Sequence, residues 1–169
     1  MLLGIGAVRE KFAHEISMLP IEYGNSPLVA HNGRAGRGKP SGGQVVVDAG
    51  ALRDTQGAEI GWLDVVRGTD HVVVAFAGDE PVERAAQAAR TVADAHPGAV
   101  QAKVIVRGEK PPSGLDGQAV LDPEGEAHDR FGLRKGGIVV VRPDQYLAAI
   151  HKGLRAEPAQ ATLALALGG

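Results

Sequence analysis

Six histidines, His14, His31, His71, His96, His128 and His151, are the side chains best suited to proton chemistry near neutral pH. No two stand as His-x-His or His-x-x-x-His, so the spacing offers no metal-ligand pair, and scattered residues of this kind are expected mostly at surfaces and turns. Asp122, Glu124, Glu126 and Asp129 crowd carboxylates into one short stretch. A calcium loop would need glycine at its sixth position and glutamate at its twelfth; Ala127 and Leu133 stand there, so a solvated acidic turn is expected. Gly33-Arg34-Ala35-Gly36-Arg37-Gly38-Lys39 has the spacing of a phosphate-binding loop, but Pro40 replaces the magnesium-holding hydroxyl and Ser41-Gly42-Gly43 cannot start the required helix. A flexible linker is the expectation. Gly4-Ile5-Gly6 begins like a dinucleotide turn, yet Arg9 replaces the third glycine and no strand precedes it. No Gly-x-Ser-x-Gly elbow supports a hydrolase triad. The chain has no cysteine, which excludes a disulfide, thiolate metal ligation and thiol redox chemistry.

With a net charge of -2 and a pI near 6.3, the 169 residues offer no basic field for nucleic acid or anionic lipid. Met1 to Val8 is apolar, but Arg9, Glu10 and Lys11 interrupt it too early for a signal peptide or a membrane span. A cytoplasmic protein is expected. The length suits one core plus an appendage. Residues 1–43 form that appendage, an N-terminal helix and a Gly/Pro-rich linker, and residues 44–169 form the domain.

Elements must position whatever site exists. Leu2, Leu3, Ile5, Val8, Phe12, Ile16 and Leu19 give one apolar helical face, ended by Pro20. Gln44 to Asp48 reads as a strand, with Ala58-Glu59-Ile60 as its hairpin partner, and Gly61 to Val66 as one helical turn. His71 to Ala77 has no polar alternation, the pattern of a strand buried on both faces. After Pro81, Val82, Ala85, Ala86, Ala89 and Val92 follow helical spacing until His96-Pro97-Gly98, and Val100 to Val106 returns as a parallel strand. Glu109 to Gly117 is a loop, and a short helix starts at Asp122-Pro123 and runs toward Phe131-Gly132. Ile138 to Val141, a turn at Arg142-Pro143-Asp144-Gln145, and Tyr146 to Ile150 form an antiparallel pair, with a last helix from Pro158 through Leu167. The fold class is α/β: a central mixed sheet flanked by helices, in an order that resembles the thioredoxin core.

Two stretches carry a family resemblance. One is Ile16-Ser17-Met18-Leu19-Pro20-Ile21-Glu22-Tyr23-Gly24-Asn25-Ser26-Pro27-Leu28. The other is Leu121-Asp122-Pro123-Glu124-Gly125, then Arg130-Phe131-Gly132, then Val139 through Ala148 with its Arg142-Pro143-Asp144 turn. Together with the pattern from Gly61 to Phe76, they resemble the C-terminal thioredoxin-like domain of class A FAD-dependent aromatic hydroxylases, of the phenol and polyketide hydroxylase type. Gln145 stands where that family usually has glycine, at a cost of roughly 1 kcal/mol if its φ is positive. The family's flavin-binding Gly-x-Gly-x-x-Gly turn and its Gly-Asp motif are absent from these 169 residues.

The resemblance therefore implies an accessory domain with no catalytic, cofactor-binding or metal-binding residue of its own, FAD belonging to the parent family. The usual thioredoxin cis-proline is also missing, since Leu133 to Gly137 contains no proline. Two partners are expected: a second copy through the apolar N-terminal helix, or a flavin-binding partner chain. The alternative is a stand-alone carrier or enzyme for phenolic or quinone compounds, with Asp64, Arg142 and Tyr146 as its polar groups.

Overall fold

A computed structural model describes residues 38–115 and 117–168. The expected N-terminal helix, the Gly4-Ile5-Gly6 turn and most of the Gly/Pro-rich linker, with His14 and His31, lie outside the described residues. The strands are β1 (Leu52–Arg53), β2 (Glu59–Ile60), β3 (His71–Phe76), β4 (Val100–Arg107), β5 (Ala119–Asp122), β6 (Gly137–Val141) and β7 (Leu147–Lys152). The helices are α1 (Trp62–Val65), α2 (Val82–Asp94), α3 (Glu126–Phe131) and α4 (Ala156–Leu167). They build one seven-stranded mixed sheet in the order β2-β1-β5-β4-β3-β6-β7.

The central strand β3 explains the layers. It is buried at every position, and its alternation sends Val72, Val74 and Phe76 to one face and Val73 and Ala75 to the other. The first face packs with Trp62 of α1 and Phe131 of α3; the second packs with Ala85, Ala86, Ala89 and Val92 of α2 and Ala159 and Leu163 of α4. The alanine stripe of α2 lets the helix lie close to the sheet, and Pro97 and Gly98 (φ +78°) follow its end as non-helical residues.

β3 pairs in parallel with β4, Val72 opposite Gln101, as the sequence pattern indicates, and on its other side it pairs antiparallel with β6. β6 and β7 form the antiparallel hairpin, whose turn is closed by the Gln145 amide donating to the Arg142 carbonyl at 2.9 Å. Gln145 takes φ +68° and is the non-glycine residue with positive φ among the described residues, so the departure from glycine does carry strain.

Three expectations are corrected. The hairpin partner of Glu59–Ile60 is Leu52–Arg53, whereas the stretch from Gln44 to Asp48 runs to the other edge and bridges Val45 to Tyr146. The short helix expected from Asp122-Pro123 begins only at Glu126, and Ala119–Asp122 is a buried strand inserted between β4 and β1. The acidic stretch is not a solvated turn throughout: Asp122 is fully buried.

Candidate functional site

In a parallel α/β sheet, groups able to act on a ligand gather beyond the carboxyl ends of the strands, where the connecting turns leave backbone groups free. Here the parallel strands β3, β4 and β5 end at Phe76, Arg107 and Asp122, with Arg107 paired in register with Asp122. Past β3 the chain runs Ala77-Gly78-Asp79-Glu80-Pro81 into α2. The candidate site consists of Gly78, Arg107, Asp122 and His128.

Asp122 and His128 are both 0% exposed. The Asp122 Oδ2 atom accepts from His128 twice, at 2.7 Å from ring Nδ1 and at 3.0 Å from the backbone N–H. On the other side of the ring, Nε2 accepts the Gly78 backbone N–H at 3.1 Å. Since Nε2 accepts, the proton of the neutral ring sits on Nδ1 and is donated to the carboxylate. Burial by itself would raise the Asp122 pKa, but the hydrogen bonds from the His128 ring and backbone outweigh it and hold the carboxyl below its ordinary value. Its Oδ1 atom is buried with no hydrogen-bond partner. The Phe76 ring meets the imidazole edge-on, with centroids 5.2 Å apart, and Phe131 and Trp62 extend the aromatic wall.

Gly78 is held on every side. Arg107 Nη2 donates to its carbonyl at 3.0 Å and pairs with Asp79. A methyl group on Gly78 would lie 2.2 Å from the Gly136 nitrogen and 2.4 Å from the Arg134 carbonyl oxygen, and φ is +61°. Glycine is therefore demanded here both by conformation and by the close approach of the turn ahead of β6. Outside this turn, Glu80 pairs with Arg84 and Asp129 with Arg134.

The arrangement resembles an Asp-His pair of general-base catalysis in composition only. A general base needs a free Nε2 facing substrate, and this one is bound to the chain's own backbone. Thiol chemistry has no thiol, since the chain contains no cysteine. Nor does the turn fit the pyrophosphate of FAD. It presents the carboxylates of Asp79 and Glu80, Pro81 has no N–H, and the Gly78 N–H is already donated. Among the described residues no cluster of His, Asp and Glu has metal-ligand geometry.

The polar residues expected for a ligand carrier serve their own turns. Asp64 accepts the Gly61 N–H at 3.0 Å and pairs with Arg67; Arg142 pairs with Asp144 at 2.5 Å; Tyr146 continues into β7 and bridges to Val45. An open groove of about 400 Å³ among the described residues is lined by Asp48, Ala49, Gly50, Glu126, Asp129 and Arg130, and by none of the three. His71 and His151, expected at the surface, are buried and held below the usual histidine pKa, His71 by burial and then Arg142, His151 by burial. His96 lies half-buried in a turn, as expected. The Asp122–His128–Gly78 assembly escaped sequence reasoning because six and fifty residues separate its members.

Comparison with known proteins follows the same lines. A family model for the HcaD C-terminal domain matches residues 43–166. No curated protein sequence matches the chain. Among solved structures, the flavin-dependent monooxygenase PieE, in complex with FAD and substrate, superposes with a TM-score of 0.64 at 18% identity over 95% of this chain and 29% of its own. Aklavinone-11 hydroxylase, in a ternary complex with FAD and aklavinone, gives 0.60 at 20% identity, over 90% of this chain and 27% of its own. A putative thiol:disulfide interchange protein DsbE from Chlorobium tepidum gives 0.51 at 14% identity over 77% of this chain. The fold is thus thioredoxin-like, and the chain spans under a third of either hydroxylase. With nearly all of β1 to α4 inside the matched stretch, the chain belongs to the HcaD C-terminal domain family.

Proposed function

We propose that this chain is a non-catalytic accessory domain of an FAD-dependent aromatic-ring hydroxylase, packing on the flavin-binding part, whether that part lies in the same polypeptide or in a partner chain. One observation carries the reading: beyond the carboxyl ends of the parallel strands, where an α/β sheet places its ligands, His128 and Arg107 are spent on holding Gly78. The turn supports structure and leaves no free nucleophile or base. The family match and the two flavin hydroxylases of like fold support the choice of parent enzyme. On this reading the domain proper starts near residue 44, FAD is bound elsewhere, and the protein works in the cytoplasm; among the described residues no helix is long and apolar enough to cross a membrane.

The visible absorption spectrum tests the proposal, taken on the purified chain alone and after adding excess FAD and removing what is unbound. A colourless protein is expected in both cases. Retained flavin with a shifted spectrum would overturn it, since a cofactor site would then exist on these residues. The apolar residues between Leu2 and Leu19 are proposed as a contact to a second copy or to the flavin-binding part. Light scattering distinguishes the two: a dimer at micromolar concentration supports the first, and a monomer that gains mass only with a flavin-binding chain supports the second. The carrier reading would need a largely apolar cleft, whereas the groove described is lined by Asp48, Glu126, Asp129 and Arg130.

A further inference from the structure

We propose that His128 is a proton-operated latch that holds the β3–α2 turn closed when neutral and releases it when charged. The latch rests on three facts of geometry. The ring is fixed, because Asp122 Oδ2 accepts both its Nδ1–H and the backbone N–H of the same residue. The turn is attached to the ring through the one lone pair of Nε2, which accepts the Gly78 N–H. The Asp122 and His128 side chains are fully buried whereas Gly78 is half-buried, so the amide, not the ring, is the end that can turn toward water.

A proton arriving at Nε2 converts that acceptor into a donor, leaving two N–H groups facing each other across 3.1 Å. One side must move. The imidazolium is drawn more strongly to the Asp122 carboxylate than the neutral ring is, so the ring stays and Gly78 departs. The rest of the turn is tied more loosely: the Arg107 guanidinium reaching Gly78 and Asp79 is 40% exposed, and the Ala77 amide remains anchored to the Ile105 carbonyl at 3.0 Å, which sets the hinge ahead of Gly78.

The charges around the ring come from several elements. Asp122 of β5 faces it directly, and Asp129 of α3 lies within electrostatic range, itself neutralised by Arg134 and by Lys39, whose ammonium donates to the Asp129 carbonyl. Arg107 of β4 and Asp79 sit on the far side of Gly78, Glu126 and Arg130 share the helix with His128, and β3 presents only the uncharged edge of Phe76.

Nuclear magnetic resonance of the full chain, titrated from pH 8 to pH 5, tests the latch. The expected result is that the Gly78 amide shifts with the midpoint of the His128 ring nitrogens, and that its hydrogen-exchange protection falls roughly five- to tenfold, the share of one hydrogen bond. Amides of β6 and β7 should not follow. A Gly78 amide that keeps its position and protection while His128 titrates overturns the proposal, as does one that follows His71, His96 or His151 instead. Failure of His128 to titrate before the domain unfolds overturns it too. In His128→Gln the side-chain oxygen can accept the Gly78 N–H but cannot titrate, so the pH dependence at Gly78 should vanish. Its persistence in that variant would also refute the latch, and the wild-type titration decides the matter if the variant does not fold.

Discussion

Replacing Gly78 by alanine places a methyl carbon 2.2 Å from the Gly136 nitrogen and 2.4 Å from the Arg134 carbonyl oxygen, in a backbone at φ +61°. Gly98 is the internal control: its φ is +78°, but nothing lies within 4 Å of the added carbon. Both substitutions share the left-handed strain of about 1–2 kcal/mol, offset by up to about 1 kcal/mol from the stiffer unfolded chain. Gly98→Ala should therefore cost about 1 kcal/mol and no more. Gly78→Ala must also push two backbone segments apart, at roughly 1–3 kcal/mol for overpacking, and draw the amide off His128, leaving a buried Nε2 without a donor at roughly 1–3 kcal/mol. The sum is roughly 3–7 kcal/mol, a large part of the roughly 5–15 kcal/mol of a whole domain. Urea unfolding followed by tryptophan emission measures it directly, because Trp62 is the one tryptophan of the chain and lies 4.7 Å, ring to ring, from Phe131. If Gly78→Ala came within 1 kcal/mol of Gly98→Ala, the reasoning about the crowded turn and its hydrogen bond would fail.

Gln145→Gly relieves the strain at the hairpin turn and should stabilise the protein by about 1 kcal/mol, a rise of about 2–4 °C in melting temperature; an unchanged or lower melting temperature would show that the turn gains something from the side chain. Stability should fall on acidification below about pH 6.5. His71 and His151 have folded pKa values below their unfolded ones, so both are neutral in both states above that pH, and the unfolded chain takes up their protons first as the pH drops. Each contributes a loss of up to about 1.4 kcal/mol per pH unit until its folded pKa is reached. Asp122, depressed in the fold, adds its loss only below the ordinary carboxylate range, as the pH falls through its folded pKa. Urea midpoints at pH 7.5 and 5.5 check the histidine part, and equal midpoints would contradict burial of the two rings in neutral form.

Much of the architecture was legible because it is written in local periodicity. The unbroken apolar run from His71 to Phe76 announced a strand buried on both faces, and the alanine stripe after Pro81 announced the helix over it. The Arg142 to Gln145 turn and the absence of cysteine likewise needed only neighbouring residues or a count. β5 was not legible in the same way: four residues after a Pro/Gly-rich loop do not differ from the start of a helix until β4 and β1 are seen to flank them. Gln44 to Asp48 is equally mute about which sheet edge it joins, since pairing is decided by packing across the sheet.

The sequence by itself determined that these 169 residues carry no thiol and so no thiol chemistry, because that depends on residue type alone. Only the tertiary structure decided what faces each ring nitrogen of His128. Whether a histidine is a surface group, a base or a latch depends on what faces each ring nitrogen, and here the partners arrive from β5 and from a turn fifty residues away, brought together by the parallel pairing of β3, β4 and β5.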